Sequence, residues 1–362
     1  IQLVAVIVAM ACALPGVFLV LRRMAMLSDA ISHSILVGIV LAFFITKDLA
    51  SPLLVIAATI TGILTVILVE ILHKTQLVRE DAAIGLVFPF LFSIGVILIS
   101  RYAGNIHLDT DAVLLGELAF APFNRLEISG VDIGPKPLYL MLGILVINII
   151  FISLFFKALK IVASGTGLAA AIGFSPWIIH YVLMGLISVT AVGAFDAVGS
   201  ILVVALMIGP PITAYLLTER LSVMLVLSGL FGALAAVSGY WLAHWLDVSI
   251  AGSMTIMVGI LLLLSYLFAP DRGIVAGIRR RRRQKVQFSL EMLLVHLLHH
   301  QDQPEADREC RVAHLSDHFI WEKELSQKVL KTGEKEALIS RKGDFLSLTK
   351  AGKNKAQKSM LR

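Results

Sequence analysis

The chain alternates long apolar runs with short polar breaks. Nine runs occupy about 1–20, 29–46, 52–72, 82–100, 138–157, 176–194, 197–218, 222–243 and 250–268. A helix crossing the hydrocarbon core of a bilayer needs about 20 apolar residues. In lipid, backbone polar groups must be satisfied within the segment, so each run predicts a transmembrane helix. Pro15, Pro89, Pro210 and Pro211 fall inside the runs, as in transporters whose interrupted helices line cavities. Residues 1–268 therefore predict an all-α polytopic bundle of about nine transmembrane helices, within a range of eight to ten. The count is least fixed at Gly193–Ala194–Phe195–Asp196, where almost no loop remains and a re-entrant segment is an alternative. The stretch 101–137 predicts irregular structure with a short helix near 111–118. It is either a docking surface for an external partner or an ordinary loop.

Basic residues favour the cytoplasmic side. Arg22 and Arg23, then His73, Lys74 and Arg79, then Lys157 and Lys160, then Arg220 mark one set of connections. The alternate connections, around Lys47–Asp48 and Asp247, carry little positive charge. This alternation places the N-terminus outside and the C-terminus in the cytoplasm. Arg279–Arg283, directly after the last run, supports the same orientation.

Composition adds a boundary. Of 362 residues only 15% are charged, against about 25% in soluble domains. Residues 1–268 hold 11 Lys/Arg and 13 Asp/Glu, whereas 269–362 hold 20 and 12. A near-neutral apolar body is thus followed by a basic tail, and the excess of positive charge is not a nucleic-acid footprint of the whole chain. Cys12 and Cys310 lie in different regions, so neither a disulfide nor a cysteine-based metal site is expected. Because the chain opens on Ile1 rather than Met, a trimmed N-terminus is expected.

An ionisable group inside a span is costly and points to function by default. In Ser28–Asp29–Ala30–Ile31–Ser32–His33, the acid and the imidazole are four residues apart and share a helix face. A carboxylate plus an imidazole is a partial shell for a borderline divalent ion such as Mn, Fe or Zn. A structural Asp–His hydrogen bond at a helix start is the competing reading, and spacing alone leaves both open. Glu70, His180, Asp196 and His244 sit near span ends and read as structural. Glu80–Asp81 reads as charge at a helix N-terminus. His107, Asp109 and Asp111 read as solvated loop residues. No phosphate-binding glycine loop and no nucleophile elbow occur in the sequence, so ATP chemistry would need a separate chain.

Three ordered motifs carry a resemblance. The segment Leu19–Ser34, reading LVLRRMAMLSDAISHS, resembles the RRMALLGDALSHA signature of zinc/manganese/iron ABC importer permeases. Glu80–Asp81–Ala82–Ala83–Ile84–Gly85 continues the match. Ala197–Pro211 is similar to that family's VGxLLVxALLxxPAA run. The resemblance covers about 1–268 and implies a type II importer permease fold. It implies a non-catalytic permease subunit of the bacterial plasma (inner) membrane, paired with a second permease in a homo- or heterodimer. An ATP-binding subunit dimer would drive it, and an extracytoplasmic metal-binding protein would feed it. No cofactor would be permanently bound, and the divalent metal would be the cargo. Asp29 and His33 match the positions that contact the ion. Residues 158–174 match the coupling helix that seats in the ATPase, although Gly165 and Thr166 stand where an acidic residue is common.

The tail predicts a second domain. Arg279–Lys285 is a polybasic stretch within a juxtamembrane linker at 269–287, suited to anionic headgroups. A helix with a leucine stripe (Leu290, Leu293, Leu294, Leu297, Leu298) is expected over 288–300, with further helices over 311–319 and 322–332. Two short strands flanking Lys342–Gly343–Asp344, then Leu348–Thr349, resemble the wing of a metal-dependent repressor. Residues 288–362 are thus expected to form a small α+β winged-helix-like cytoplasmic domain. Nucleic acid is not expected as a partner; regulation or protein contact is. His296, His299, His300, His314 and His318 are either solvated or a metal site. The alternative for the whole chain is a membrane-anchored metal-sensing regulator acting through this domain.

Overall fold

A computed structural model describes residues 1–47, 51–102, 118–128, 131–165, 167, 171, 176–301, 303–304, 306–319 and 321–360. The chain divides into two compact units, Ile1–Arg272 and Gly273–Arg362.

The first unit is helical apart from one hairpin. Its elements are α1 (Gln2–Leu21), α2 (Met26–Thr46), α3 (Pro52–Lys74), α4 (Glu80–Tyr102), β1 (Arg125–Ile128), β2 (Val131–Pro135), α5 (Lys136–Leu154), α6 (Phe156–Ser164), α7 (Pro176–Val198), α8 (Ser200–Leu217), α9 (Leu221–Leu246) and α10 (Ile250–Phe268). Among the described residues, nine of these helices are long and apolar enough to cross a membrane; α6 is the short one. They expose Ile45, Phe90, Ile97, Leu154 and Phe268, as lipid-facing helices do.

Lipid tails are as apolar as the helices, so close packing rather than hydrophobic burial holds spans together. Helix α1 is the hub, packed on α5, α7, α8 and α9. Gly16 lets it touch α8, since a Cβ there would overlap the Met207 carbonyl. Pro15 lacks the N–H that would cap the Ala11 carbonyl one turn earlier. Asn148 of α5 supplies the missing donor: its Nδ2 lies 2.9 Å from Ala11 O and 3.1 Å from Thr190 Oγ1 of α7. One amide thus satisfies the broken turn and ties three helices together.

Gly199 (φ +78°) alone separates α7 from α8. The break lies beyond the 194–197 position expected from sequence. Helix α7 runs through Asp196, and the turn falls where only glycine takes positive φ without strain. The β1–β2 hairpin was also not anticipated. Its strands pair antiparallel with a register shift at Leu126/Glu127, and Arg125 forms an ion pair with Asp132. The helix expected near 111–118 lies almost wholly outside the described residues.

The second unit comprises α11 (Ile274–His300), α12 (Ala306–Glu309), α13 (Val312–His318), α14 (Lys323–Lys335), β3 (Ile339–Lys342), β4 (Phe345–Leu348) and α15 (Lys350–Met360). Its core joins Leu290, Leu293, Leu294 and Leu297 of α11 to Leu315, Val329, Leu346 and Ala356. Strands β3 and β4 pair antiparallel, Lys342 opposite Phe345, about a turn containing Gly343 (φ +64°). Arg311 adds a lone bridge to Phe345. The polybasic segment differs from expectation. Arg279–Lys285 is not a linker but part of the continuous helix α11. Arg, Gln and Lys are good helix formers, and no Gly or Pro follows Gly277 before the helix ends.

Candidate functional site

Helix α2 carries the pair singled out by spacing. The helix starts at Met26, so Asp29 falls in its first turn, where the helix dipole favours a carboxylate. His33 Nε2 lies 3.3 Å from Asp29 Oδ1, with the two side chains 28% and 31% exposed. That exposure leaves coordination capacity on a helix otherwise packed against α3 and α4. Phe88 and Phe92 of α4 flank the imidazole, with centroids 6.0 and 5.9 Å away, and so wall one side of it with apolar surface.

The helix under this pair is held closely. Ser32 Oγ donates to Ser28 O at 2.9 Å. Ser34 Oγ and Thr65 Oγ1 of α3 are 2.6 Å apart. Gly38 seats against α3, where a Cβ would overlap Ala57 O and Thr61 Oγ1 and stand 2.7 Å from Ala57 C. The ligand helix is therefore positioned by backbone contact as well as by side chains.

A second charged group forms where α1 ends and α4 begins. Glu70 of α3 pairs with Lys74 at 3.0 Å and lies 3.9 Å from His180 of α7. Among the described residues, Arg22 Nη1, Glu70 Oε2 and Glu80 Oε1 are buried without a hydrogen-bond partner. Burial pulls the Arg22 guanidinium below its ordinary value, against the Glu80 and Glu70 carboxylates. Sequence reading treated Glu70, His180 and Glu80 one by one; their convergence is tertiary, and only their shared position near span ends signalled it. His244 stacks on Tyr240, and Asp196 is exposed near the end of α7; neither joins the α2 pair. His107, Asp109 and Asp111 lie outside the described residues. Helix α6 is amphipathic, burying Ala158, Leu159 and Val162; of the residues beyond it, 166, 168–170 and 172–175 lie outside the described set.

In the second unit the histidines gather around Glu309. His314 Nε2 is 2.8 Å from Glu309 Oε2, and His296 Nε2 is 3.8 Å from it. Burial holds the His296 imidazole below its ordinary value. For Glu309, burial pushes the carboxyl up, but His314, His300 and His296 outweigh it and hold it low. Burial raises the Cys310 thiol.

Among the described residues, nine apolar helices, a partly exposed carboxylate–imidazole pair on one of them and buried charge near their ends mark a multi-pass membrane protein. Comparison with known proteins gives its family. The ABC 3 transport family matches residues 1–269, and the chain belongs to it. It is 46% identical over 355 residues to the zinc transport system membrane protein TroD of Treponema pallidum (strain Nichols), covering 98% of this chain and 96% of that one. It is 50% identical over 270 residues to the manganese transport system membrane protein MntD of Bacillus subtilis (strain 168), covering 75% and 91%. The solved structure of PsaBC from Streptococcus pneumoniae in complex with Fab superposes with a TM-score of 0.62 at 29% identity, covering 75% of this chain and 91% of that one. The TroD match runs through the second unit, and the MntD match covers about the length of the first.

Proposed function

We propose that this permease carries a divalent transition metal, zinc or manganese, into the bacterial cytoplasm, and that Asp29 and His33 touch the ion on its way. The observation that carries the reading is the Asp29–His33 pair, 3.3 Å apart and incompletely buried on a membrane helix. A carboxylate and an imidazole together suit borderline divalent ions. The names of the relatives TroD and MntD add the choice of zinc or manganese.

Membership of the family supports the remaining assignments. A pair of ATP-binding subunits supplies the energy, and the segment 158–174, beginning in α6, is the coupling element that meets them. A second permease completes the pathway, and an extracytoplasmic protein delivers the ion. The N-terminus faces outward and the C-terminal unit faces the cytoplasm. Loop charge supports this orientation. The order of four helices, a hairpin and a final helix in 274–360 supports a winged-helix-like reading of that unit, used for regulation or protein contact rather than DNA. A metal-sensing regulator merely anchored by its spans would need neither nine of them nor a polar pair within one.

Metal accumulation in cells carrying the whole transporter tests the pathway. Asp29→Ala and His33→Ala, expressed and assembled at wild-type level, should each abolish uptake of the same ion. Unchanged uptake of every metal in both variants would remove the pair from the pathway.

A further inference from the structure

Among the described residues, metal-ligating side chains gather in the second unit. Two sets of three ligand-type residues occur among the described residues, His296–His300–Glu309 and Glu309–His314–His318, and they share the carboxylate. We propose that the C-terminal unit holds its own site for a divalent transition metal, centred on Glu309 and ligated by His296 and His300 of α11 and by His314 and His318 of α13.

Sequence and fold combine to build it. His296 and His300 are one helical turn apart, as are His314 and His318, so each pair shares a face. The chain reverses between α11 and α13, and Glu309, at the end of α12, falls between the two faces. In each set the ligand atoms lie within 4.8 Å of one another. Around a tetrahedral ion with bonds of about 2.0–2.1 Å, ligand atoms stand about 3.3 Å apart. Small side-chain rotations close that gap, and the Glu309–His314 contact at 2.8 Å is already inside it.

Two details argue against plain hydrogen bonding as the whole explanation. The contacts of His314 with Glu309 Oε2 and of His296 with Glu309 O account for two imidazoles, yet four converge. Ring centroids are 4.7 Å apart for His296–His300, 4.9 Å for His296–His318 and 5.5 Å for His314–His318. In addition, His300 Nδ1 is buried with no hydrogen-bond partner among the described residues, a lone polar atom that a metal would satisfy. His296 Nε2 sits 3.2 Å from the Glu309 main-chain oxygen and 3.8 Å from Glu309 Oε2, so Glu309 holds this imidazole at the centre of the cluster.

Four imidazoles and one carboxylate suit zinc and its neighbours and disfavour calcium or magnesium, which take oxygen shells. Cys310, next to Glu309, is fully buried among leucines and serves the core. The exposed His318 leaves the site open to solvent. Bound metal would tie α12 and α13 to α11, and so stabilise the unit by an amount that rises with the logarithm of the free metal concentration. This site stands independently of the transport pathway.

The test is metal binding by the purified full-length chain in detergent, stripped with chelator and titrated with Zn²⁺ against a chromophoric competitor, then with Co²⁺ followed by visible absorption. Wild type should bind at least one equivalent that Glu309→Gln and the double variant His314→Ala/His318→Ala lose, together with the cobalt ligand-field bands. The double variant Asp29→Ala/His33→Ala should keep both. Wild-type stoichiometry and spectrum in the Glu309→Gln chain would overturn the proposal. A readout on the wild-type chain needs no variant: Zn²⁺ should slow proteolysis within 273–362, and cleavage there at the same rate with and without Zn²⁺ would also overturn it.

Discussion

Gly38→Ala should unseat the helix that carries the proposed ligands. Gly38 is five residues from His33 and nine from Asp29 on α2. A Cβ at this position would overlap Ala57 O and Thr61 Oγ1 of α3, and Ala57 C would stand 2.7 Å away. Two of these atoms are backbone, and Thr61 Oγ1 is itself hydrogen-bonded to Ala57 O at 3.0 Å, so nothing nearby is a flexible tip that can swing aside. The two helices must separate, and overpacking of this kind costs about 1–3 kcal/mol. The Ser34–Thr65 hydrogen bond, one turn away and 2.6 Å long, would lengthen with the separation. The control is Gly143→Ala on α5, where a Cβ meets nothing within 4 Å and alanine's better helix propensity should give up to about 1 kcal/mol of stabilisation. Thermal inactivation of the purified chain in detergent, read by loss of the monodisperse peak, compares the two. Metal uptake in cells then reports whether α2 has moved. Gly38→Ala should melt lower and transport poorly; Gly143→Ala should do neither. Equal melting of the two variants would refute the claim that backbone contact sets the position of α2.

Other outcomes follow from the same contacts. Asn148→Leu leaves the Ala11 carbonyl without its donor and should cost about 0.6–1.7 kcal/mol, the range for hydrogen bonds between membrane helices, measured by the same inactivation assay; pairing it with Pro15→Ala, which restores the main-chain donor, should recover part of the loss. Gly352→Ala would drive a Cβ into the Leu338 carbonyl and should destabilise the second unit, read as faster proteolysis within 273–362 of the full chain. That unit should also weaken on mild acidification without metal. His296 is held below the ordinary imidazole value of about 6.5 by burial, aided by the charges of His300 and His318 and opposed by Glu309. The unfolded imidazole therefore binds protons that the folded one refuses, and the stability it contributes is present above pH 6.5 and is lost as pH falls below it. Glu309, also held low, acts in the same direction at lower pH. Proteolysis of the metal-free chain should accelerate from pH about 7.5 to about 5.5, and a flat profile would contradict the direction of these shifts.

The spans were legible because a bilayer demands about 20 apolar residues from each helix, a constraint written into the local sequence. The Asp29–His33 contact was legible for a similar reason, since four residues on a helix bring two side chains together whatever surrounds them. The Gly199 break was misplaced because Asp196, the polar residue at the end of the run, is a weaker stop than a glycine that takes positive φ. The hairpin was missed although Leu126–Glu127–Ile128 and Val131–Asp132–Ile133 alternate on either side of Ser129–Gly130, because strands of four and five residues give a short signal. Asn148 as the partner of Ala11 was beyond reach, since 137 residues separate them and only the packed bundle joins them. Glu309 was unreadable as the centre of the histidine cluster for the same reason: it has no fixed spacing to either histidine pair.

The two candidate metal sites differ as their proposed tasks require. A conducting site must bind an ion well enough to admit it and weakly enough to release it. Asp29 and His33 supply two ligands from one helix, roughly a third exposed, so the rest of the coordination shell must come from water or another chain and can be exchanged. The Glu309 cluster supplies up to five ligands from three consecutive helices of one compact unit, and an ion there is released only by dismantling several contacts together. Ligand number and rigidity set metal affinity, so the second unit should stay occupied at metal concentrations that leave the pathway mostly empty. Titration of the full-length chain should therefore fill the Glu309 site first, and a first equivalent that is lost with Asp29→Ala/His33→Ala instead of Glu309→Gln would reverse the order argued here.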